Sequence, residues 1–293
     1  MIHFDTYIGY ALPEDKYEIA ELWQEVFHDS YEYIELFFNR VYKPENTLVI
    51  KRKGFIISAL QMVPYHLKYV GKIYPVAYLC GVCTHPFERG RGYMKHLMRY
   101  ALNEMTRRGY KIAIVIPSEP SLFEYYRKMG FWNVNYRTIE STFYDKQTIL
   151  ISNLISPYLF ETCTSKHFTY FDRKQKERAK TILHDAYDFE TILLELASDG
   201  GEAFVALEYN TPAGLAFATK TSDTSVFIKD FFAENHKIKK ALFSHICHHF
   251  NVTNVKAVIP YIFEKKLRPY ALTYSLGSVC NIVDNLQLTL MLD

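Results

Sequence analysis

The residues with the plainest chemistry lie between Cys80 and Met94, in the run Cys80-Gly81-Val82-Cys83-Thr84-His85-Pro86-Phe87-Glu88-Arg89-Gly90-Arg91-Gly92-Tyr93-Met94. An apolar stretch breaks at a proline, crosses a basic loop with two glycines and enters an amphipathic run that continues to Met105. The pattern predicts a strand, a loop and a helix whose first turn carries backbone N–H groups with no partner inside the helix. Such a terminus is an anion site. Gly90 and Gly92 remove Cβ atoms so that a phosphate can approach the main chain, and the helix dipole favours negative charge there. Arg89 and Arg91 add charged donors whose planar fork matches phosphate oxygens.

Two commoner phosphate loops are excluded, because the sequence contains neither Gly-x-x-x-x-Gly-Lys-Ser/Thr nor, between Gly81 and Met94, Gly-x-Gly-x-x-Gly. Arg89-x-x-Gly92-x-Met94 instead resembles the Arg/Gln-x-x-Gly-x-Gly/Ala signature of the GNAT acetyltransferase superfamily, whose loop holds the pyrophosphate of acetyl-coenzyme A. Met94 stands where Gly or Ala is usual. That departure resembles the tandem-domain branch typified by the enhanced-intracellular-survival (Eis-like) proteins, and the N–H of Met94 still faces forward from the helix start. In isolation an Arg-Gly-Arg-Gly segment reads more simply as a basic turn. A second element in the right order changes that reading.

Lys111-Ile112-Ala113-Ile114-Val115-Ile116-Pro117 predicts a short buried parallel strand. Ser121 and Glu124 form a capping-box pattern that would open a helix, and Gly130 would close it. This resembles the second GNAT motif, a short helix ending in Tyr-x-x-x-Gly-Phe beside the cofactor thiol; the matching tyrosine is Tyr126, four residues before Gly130. The resemblance implies that Tyr126 is the general acid which protonates the departing thiolate when an amine attacks the thioester, while backbone N–H groups stabilise the oxyanion. With 24 tyrosines in the chain, only this position relative to Gly130 singles it out. Ser121 reads equally as a helix cap and as a cofactor contact. By the same resemblance Val82, Cys83 and Thr84 pair with the pantetheine arm through the main chain, and Arg89, Gly90, Arg91, Gly92, Tyr93 and Met94 surround the pyrophosphate.

The elements around these motifs follow the GNAT order. An amphipathic helix runs from Pro13 to Phe27 and a second from Tyr31 to Tyr42; Thr47 to Lys51 and Phe55 to Val63 form a hairpin, Val76 to Thr84 the next strand, and Arg137 to Tyr144 a late one. The length of 293 residues predicts about two domains, placed at 1–145, a catalytic GNAT domain, and 146–293, a degenerate GNAT-like domain with a C-terminal tail. In the second half Ala203 to Glu208 and Leu215 to Lys220 form a hairpin, Val226 to Asp230 a strand, Ile238 to Phe250 a helix, and Val255 to Pro260 echoes Ile112 to Pro117. Phe231 to Lys237 then occupies the place of the phosphate loop without a glycine and with Glu234, which repels phosphate. The expected fold class is α/β with mixed sheets: two tandem GNAT-like domains, each a mostly antiparallel central sheet flanked by helices.

Composition bounds the partners. A formal charge of +2 argues against a general nucleic-acid binder, and Lys51-Arg52-Lys53 reads as a hairpin turn. No signal peptide is visible before Glu14 and no apolar run approaches the ~20 residues of a membrane span. Five cysteines agree with a reducing compartment, so the chain reads as soluble and cytoplasmic. Cys80 and Cys83 read as buried thiols rather than a metal pair, and His245, His248 and His249 as a polar helix face, so no metal is expected. The functional expectation is an N-acetyltransferase that moves acetyl from acetyl-coenzyme A to a primary amine of a small molecule or peptide. The alternative is a non-catalytic acyl-coenzyme A binder or sensor; transfer from aminoacyl-tRNA is disfavoured by the intact loop. Asp29, Glu32 and Glu35 read as a solvated helix face before an acceptor role, His85 as a turn residue before a base, and the chain-terminal carboxylate of Asp293 as a candidate base. Oligomeric state is left open.

Overall fold

The computed structural model describes residues 6–259, 267–277 and 286–291. In chain order the elements are β1 (Thr6–Tyr10), α1 (Lys16–Phe27), α2 (Tyr31–Arg40), β2 (Thr47–Arg52), β3 (Phe55–Tyr69), β4 (Lys72–Thr84), α3 (Tyr93–Arg107), β5 (Ile112–Val115), α4 (Pro120–Arg127) and β6 (Asn133–Phe143). There follow α5 (Lys146–Leu154), β7 (Leu159–Thr162), α6 (Phe168–Glu177), β8 (Lys180–Leu183), α7 (Ala186–Ser198), β9 (Gly201–Glu208), β10 (Thr211–Ser222), β11 (Ser225–Ala233), α8 (His236–Phe250), β12 (Asn254–Ile259) and β13 (Leu267–Ser275). The fold is mixed α/β, with mostly antiparallel sheets flanked by helices.

Contacts divide the described chain into two compact units, 6–135 with 270–277 and 136–259 with 267–269 and 286–291. The break falls after Asn135, inside β6, whereas the sequence pattern places it after residue 145; β6 opens in the first unit and pairs with β12 of the second from Thr138 onward. Residues 270–277 also return to the first unit, where Leu272–Ser275 pair with β5.

In the first unit the sheet order is β1-β2-β3-β4-β5-β13, and only β4 and β5 run parallel. The crossover helix α3 buries Leu97, Met98, Ala101 and Met105 against Leu60, Met62 and Val115. Trp23 of α1 packs on Phe37 of α2 with ring centroids 4.6 Å apart. Strands β3 and β4 extend beyond the expected Phe55 to Val63 and Val76 to Thr84, past Pro64 and Pro75. The two prolines sit in the outer part of the hairpin, opposite Ala77 and His66, and the chain reverses at Val70 and Gly71, both with positive φ. Lys53 and Gly54 make the same kind of turn between β2 and β3, as the basic cluster there predicts.

The second unit repeats this order with β6-β12-β11-β10-β9-β7, and again one pair, β11 and β12, is parallel with a helix, α8, between its strands. Helix α8 packs Ile238, Leu242 and Ile246 on one side, while Phe171 of α6 and Phe189 of α7 fill a separate core. No helix among the described residues is long and apolar enough to cross a membrane.

One irregularity shapes the first unit. Between Ala59↔Cys83 and Gln61↔Cys80 the ladder opposes Leu60 to both Gly81 and Val82, a bulge in β4. Gly81 adopts φ +56°, and a Cβ there would lie 2.4 Å from the ring of Trp23, whose indole N–H is fixed by the Asp29 carboxylate at 2.7 Å. Gly81→Ala is therefore expected to destabilise the protein by about 1–3 kcal/mol, seen as a lower urea midpoint; an unchanged midpoint would show that the bulge relaxes freely.

Candidate functional site

The β4–β5 ladder ends at Leu79↔Val115, while β4 itself continues to Thr84. Pro117 follows too closely for β5 to extend, since it has no N–H to donate. The backbone of β4 beyond Leu79 thus loses its neighbour on that side, and a cavity of about 700 Å³ opens there, walled by Val82, Cys83 and Thr84. Polar main-chain groups without a strand partner need another one.

The far wall of the cavity is the start of α3. Gly92, at φ +82°, is the N-cap and offers no side-chain acceptor to the first turn. Gly90 and Gly92 have nothing within 4 Å of where a Cβ would stand. Bare N–H groups, open space in front of them and the positive end of a fifteen-residue helix together form an anion cradle. Arg89, Gly90, Gly92, Tyr93 and Met94 line it, and Arg89 is aimed by a bond from its Nε to the Thr84 carbonyl at 3.2 Å. Arg91 does not line the cavity; its guanidinium pairs with Glu88 at 3.1 Å. Lys95 and Lys128 do line it and were not anticipated. The signal for Lys95 was its place at the third helical position, where a side chain can fold back over the helix start.

The third wall comes from α4. This helix ends as Gly130 takes φ +99°, with the N–H groups of Met129 and Phe131 both reaching the Tyr126 carbonyl, at 2.9 and 3.2 Å. A Cβ on Gly130 would lie 2.7 Å from the Tyr274 ring, and Phe131 packs 5.5 Å from that ring and 5.9 Å from Tyr126. Tyr126 is thereby held at 5% exposure on the cavity wall. Its hydroxyl has no hydrogen-bond partner among the described residues. Burial, with smaller contributions from Tyr125 and Cys83, holds its phenol well above the usual tyrosine range, so it stays protonated.

Ser121 lies elsewhere. Helix α4 begins two residues earlier than the capping-box pattern predicts, with Glu119 as N-cap and Pro120 at the first position. Ser121 is exposed, donates to Glu119 at 3.2 Å and does not line the cavity. Asp29 is committed to the Trp23 indole, and Asp293 lies outside the described residues. Cys80 and Cys83 are buried free thiols, and burial pushes Cys83 up to about 12. His245 stacks on Phe160 at 4.3 Å, and His249 pairs with Glu202 at 3.0 Å. No cluster able to hold a metal occurs among the described residues.

The counterpart in the second unit is closed. Asn235 caps α8 with its own side chain, accepting from the Ile238 N–H at 3.0 Å, and Glu234 is tied to Arg173 at 2.7 Å. The helix start that stands open in the first unit is filled in the second.

Comparison with known proteins agrees with this fold. Residues 9–134 match the acetyltransferase (GNAT) domain family. A probable N-acyltransferase of unknown function from Enterococcus faecalis V583 superposes with TM-score 0.75 at 14% identity, over 92% of this chain and 72% of the other. Eis1 from Mycobacterium abscessus gives TM-score 0.65 at 13% identity over 92% and 73%. N-myristoyltransferase from Saccharomyces cerevisiae, solved with bound myristoyl-CoA, gives 0.58 at 11% over 94% and 80%. At these identities the likeness is one of fold: a GNAT-type fold. No curated protein matches the sequence.

The cradle can be tested without assuming a reaction. Inorganic pyrophosphate should bind, and Lys95→Glu combined with Arg89→Ala should weaken that binding by about tenfold or more with the unfolding midpoint unchanged. Equal affinity of the variant would place the anion elsewhere.

Proposed function

We propose that this chain is an N-acyltransferase that moves an acyl group, acetyl in the first instance, from acyl-coenzyme A to the primary amine of a small molecule or peptide. The observation that carries the reading is the convergence on one cavity of an unpaired strand edge, a bare helix N-terminus and a largely buried tyrosine whose hydroxyl has no hydrogen-bond partner among the described residues. Those three features match the three parts of an acyl-coenzyme A. The main chain of Val82, Cys83 and Thr84 would hold the amide-bearing arm as a strand holds its neighbour. Arg89, Gly90, Gly92, Lys95 and the N–H groups of Tyr93 and Met94 would take the pyrophosphate, with Arg91 able to join them by leaving Glu88.

Bound acyl-coenzyme A supplies the activated thioester carbonyl and a thiolate leaving group. Tyr126 holds the proton that leaving sulfur needs, and its burial keeps that proton in place at neutral and mildly alkaline pH. In this reading residues 1–145 form the catalytic GNAT domain and 146–293 a degenerate second copy, a tandem arrangement supported by the repeated strand order and the filled α8 terminus. The cytoplasm, where acyl-coenzyme A is made and used, is the expected location.

Release of free thiol from acetyl-coenzyme A in the presence of amines tests the proposal. Tyr126→Phe should lower kcat by about 100-fold with little change in coenzyme A affinity. A protein that binds coenzyme A and never turns over with any amine would be a sensor instead. The pH profile supplies a second test. A phenol raised above its ordinary value of 10 is neutral below that value and loses its proton only above it, so kcat should show no alkaline decline through pH 9. A fall centred between pH 7 and about 9 would exclude Tyr126 as the acid.

A further inference from the structure

A second cavity, of about 600 Å³, lies in the same unit beside the first. Its floor is the exposed face of α1, where Glu18, Glu21 and Glu25 recur at helical spacing. Phe55 at the start of β3 and Phe87 after β4 line it while 71% and 82% exposed, two large rings left in water beside a hollow of ligand size. The two cavities share Glu88, and they flank consecutive residues: Thr84 lines the first and His85 the second.

The charges in this hollow are unevenly committed. Arg52 is held by both oxygens of Glu88, at 2.9 and 3.0 Å, and Glu18 accepts the Ile56 N–H at 2.7 Å. Glu25 faces the His85 imidazole at 3.3 Å, and Glu21 has no partner among the described residues. Lys53 is a lining cation that opposes them. Four carboxylates against Arg52 and Lys53 leave the hollow net negative, and the Phe55 and Phe87 rings share its lining with Glu21 and Glu25. An ammonium between a carboxylate and a phenyl ring gains from both.

We propose that this hollow binds the second ammonium of the acceptor, so that the substrate is a small di- or polyamine rather than a monoamine. The inference rests on the acyltransferase reading: one nitrogen of the acceptor is acylated from the first cavity while another is held between Glu21, Glu25, Phe55 and Phe87. A monoamine has nothing to place there. The hollow is also far larger than one ammonium needs, which fits the carbon chain that must join the two nitrogens.

The experiment compares 1,4-diaminobutane and spermidine with n-butylamine as acceptors, and measures spermidine and coenzyme A binding separately by calorimetry. Both polyamines should show a KM at least about tenfold below that of n-butylamine. Glu21→Gln with Glu25→Gln, two isosteric changes, should collapse that ratio toward one and weaken spermidine binding by a similar factor, with coenzyme A affinity intact. Equal KM values for mono- and polyamines in the unaltered protein, or a ratio untouched by the double substitution, would overturn the proposal and leave the acyltransferase reading standing. Spermidine binding that depends on Glu21 and Glu25 in a protein with no coenzyme A affinity would sustain the cation site and sink the acyltransferase reading.

Discussion

A strand that runs on past its neighbour carries a debt of unpaired N–H and C=O groups, and the first unit is arranged around that fact. β4 continues to Thr84 after its ladder with β5 has stopped at Leu79. Pro117 prevents β5 from following, and the free segment carries the bulge at Gly81–Val82. The opening needs rigid borders. Trp23 packed against Gly81 supplies one, and the Phe131–Tyr274 contact behind Tyr126 supplies another. A ligand that runs alongside a strand and ends in a diphosphate satisfies both the unpaired edge and the bare helix terminus at once.

The second unit shows what the same topology does when the opening is not kept. Parallel strands β11 and β12 bracket α8 as β4 and β5 bracket α3. Yet Asn235 meets the orphan N–H groups with its own side chain, and the neighbouring carboxylate of Glu234 is paired to Arg173 and Lys174. A cap residue and an open anion cradle are alternative solutions to one problem at a helix start. Gly92 leaves those N–H groups without a side-chain acceptor, and Asn235 supplies one within the chain.

Much of this was legible in the sequence because glycine and arginine leave strong local marks. The strand, loop and helix around Gly90 and Gly92, and the helix closed by Gly130, follow from those marks alone. Strand length was less legible: Pro64 and Pro75 look like stops, and only the hairpin partner shows that they occupy positions a proline can hold. Ser121 was a plausible cap, but Pro120 fixes the helix start two residues earlier and moves the cap to Glu119. The acidic residues of α1 were not legible in the same way. Asp29, Glu32 and Glu35 read as a solvated helix face, and Asp29 bonds the Trp23 indole; the second cavity is lined by Glu18, Glu21 and Glu25, which the sequence did not single out. A polar helix face announces its period and says nothing of what stands opposite it. The region from 146 to 200 carries short elements whose apolar patterns are brief, although Asp145 and Asp185 do mark the starts of α5 and α7 as caps.

The central claim is that one ligand completes both the free edge of β4 and the bare terminus of α3. Amide hydrogen exchange with and without coenzyme A measures this most directly. The account predicts slowed exchange in the peptides covering both Val82–Thr84 and Gly92–Lys95 when coenzyme A is added, with little change around Asn235–Ile238. Protection at neither stretch of the first unit, or at the α8 start instead, would contradict it.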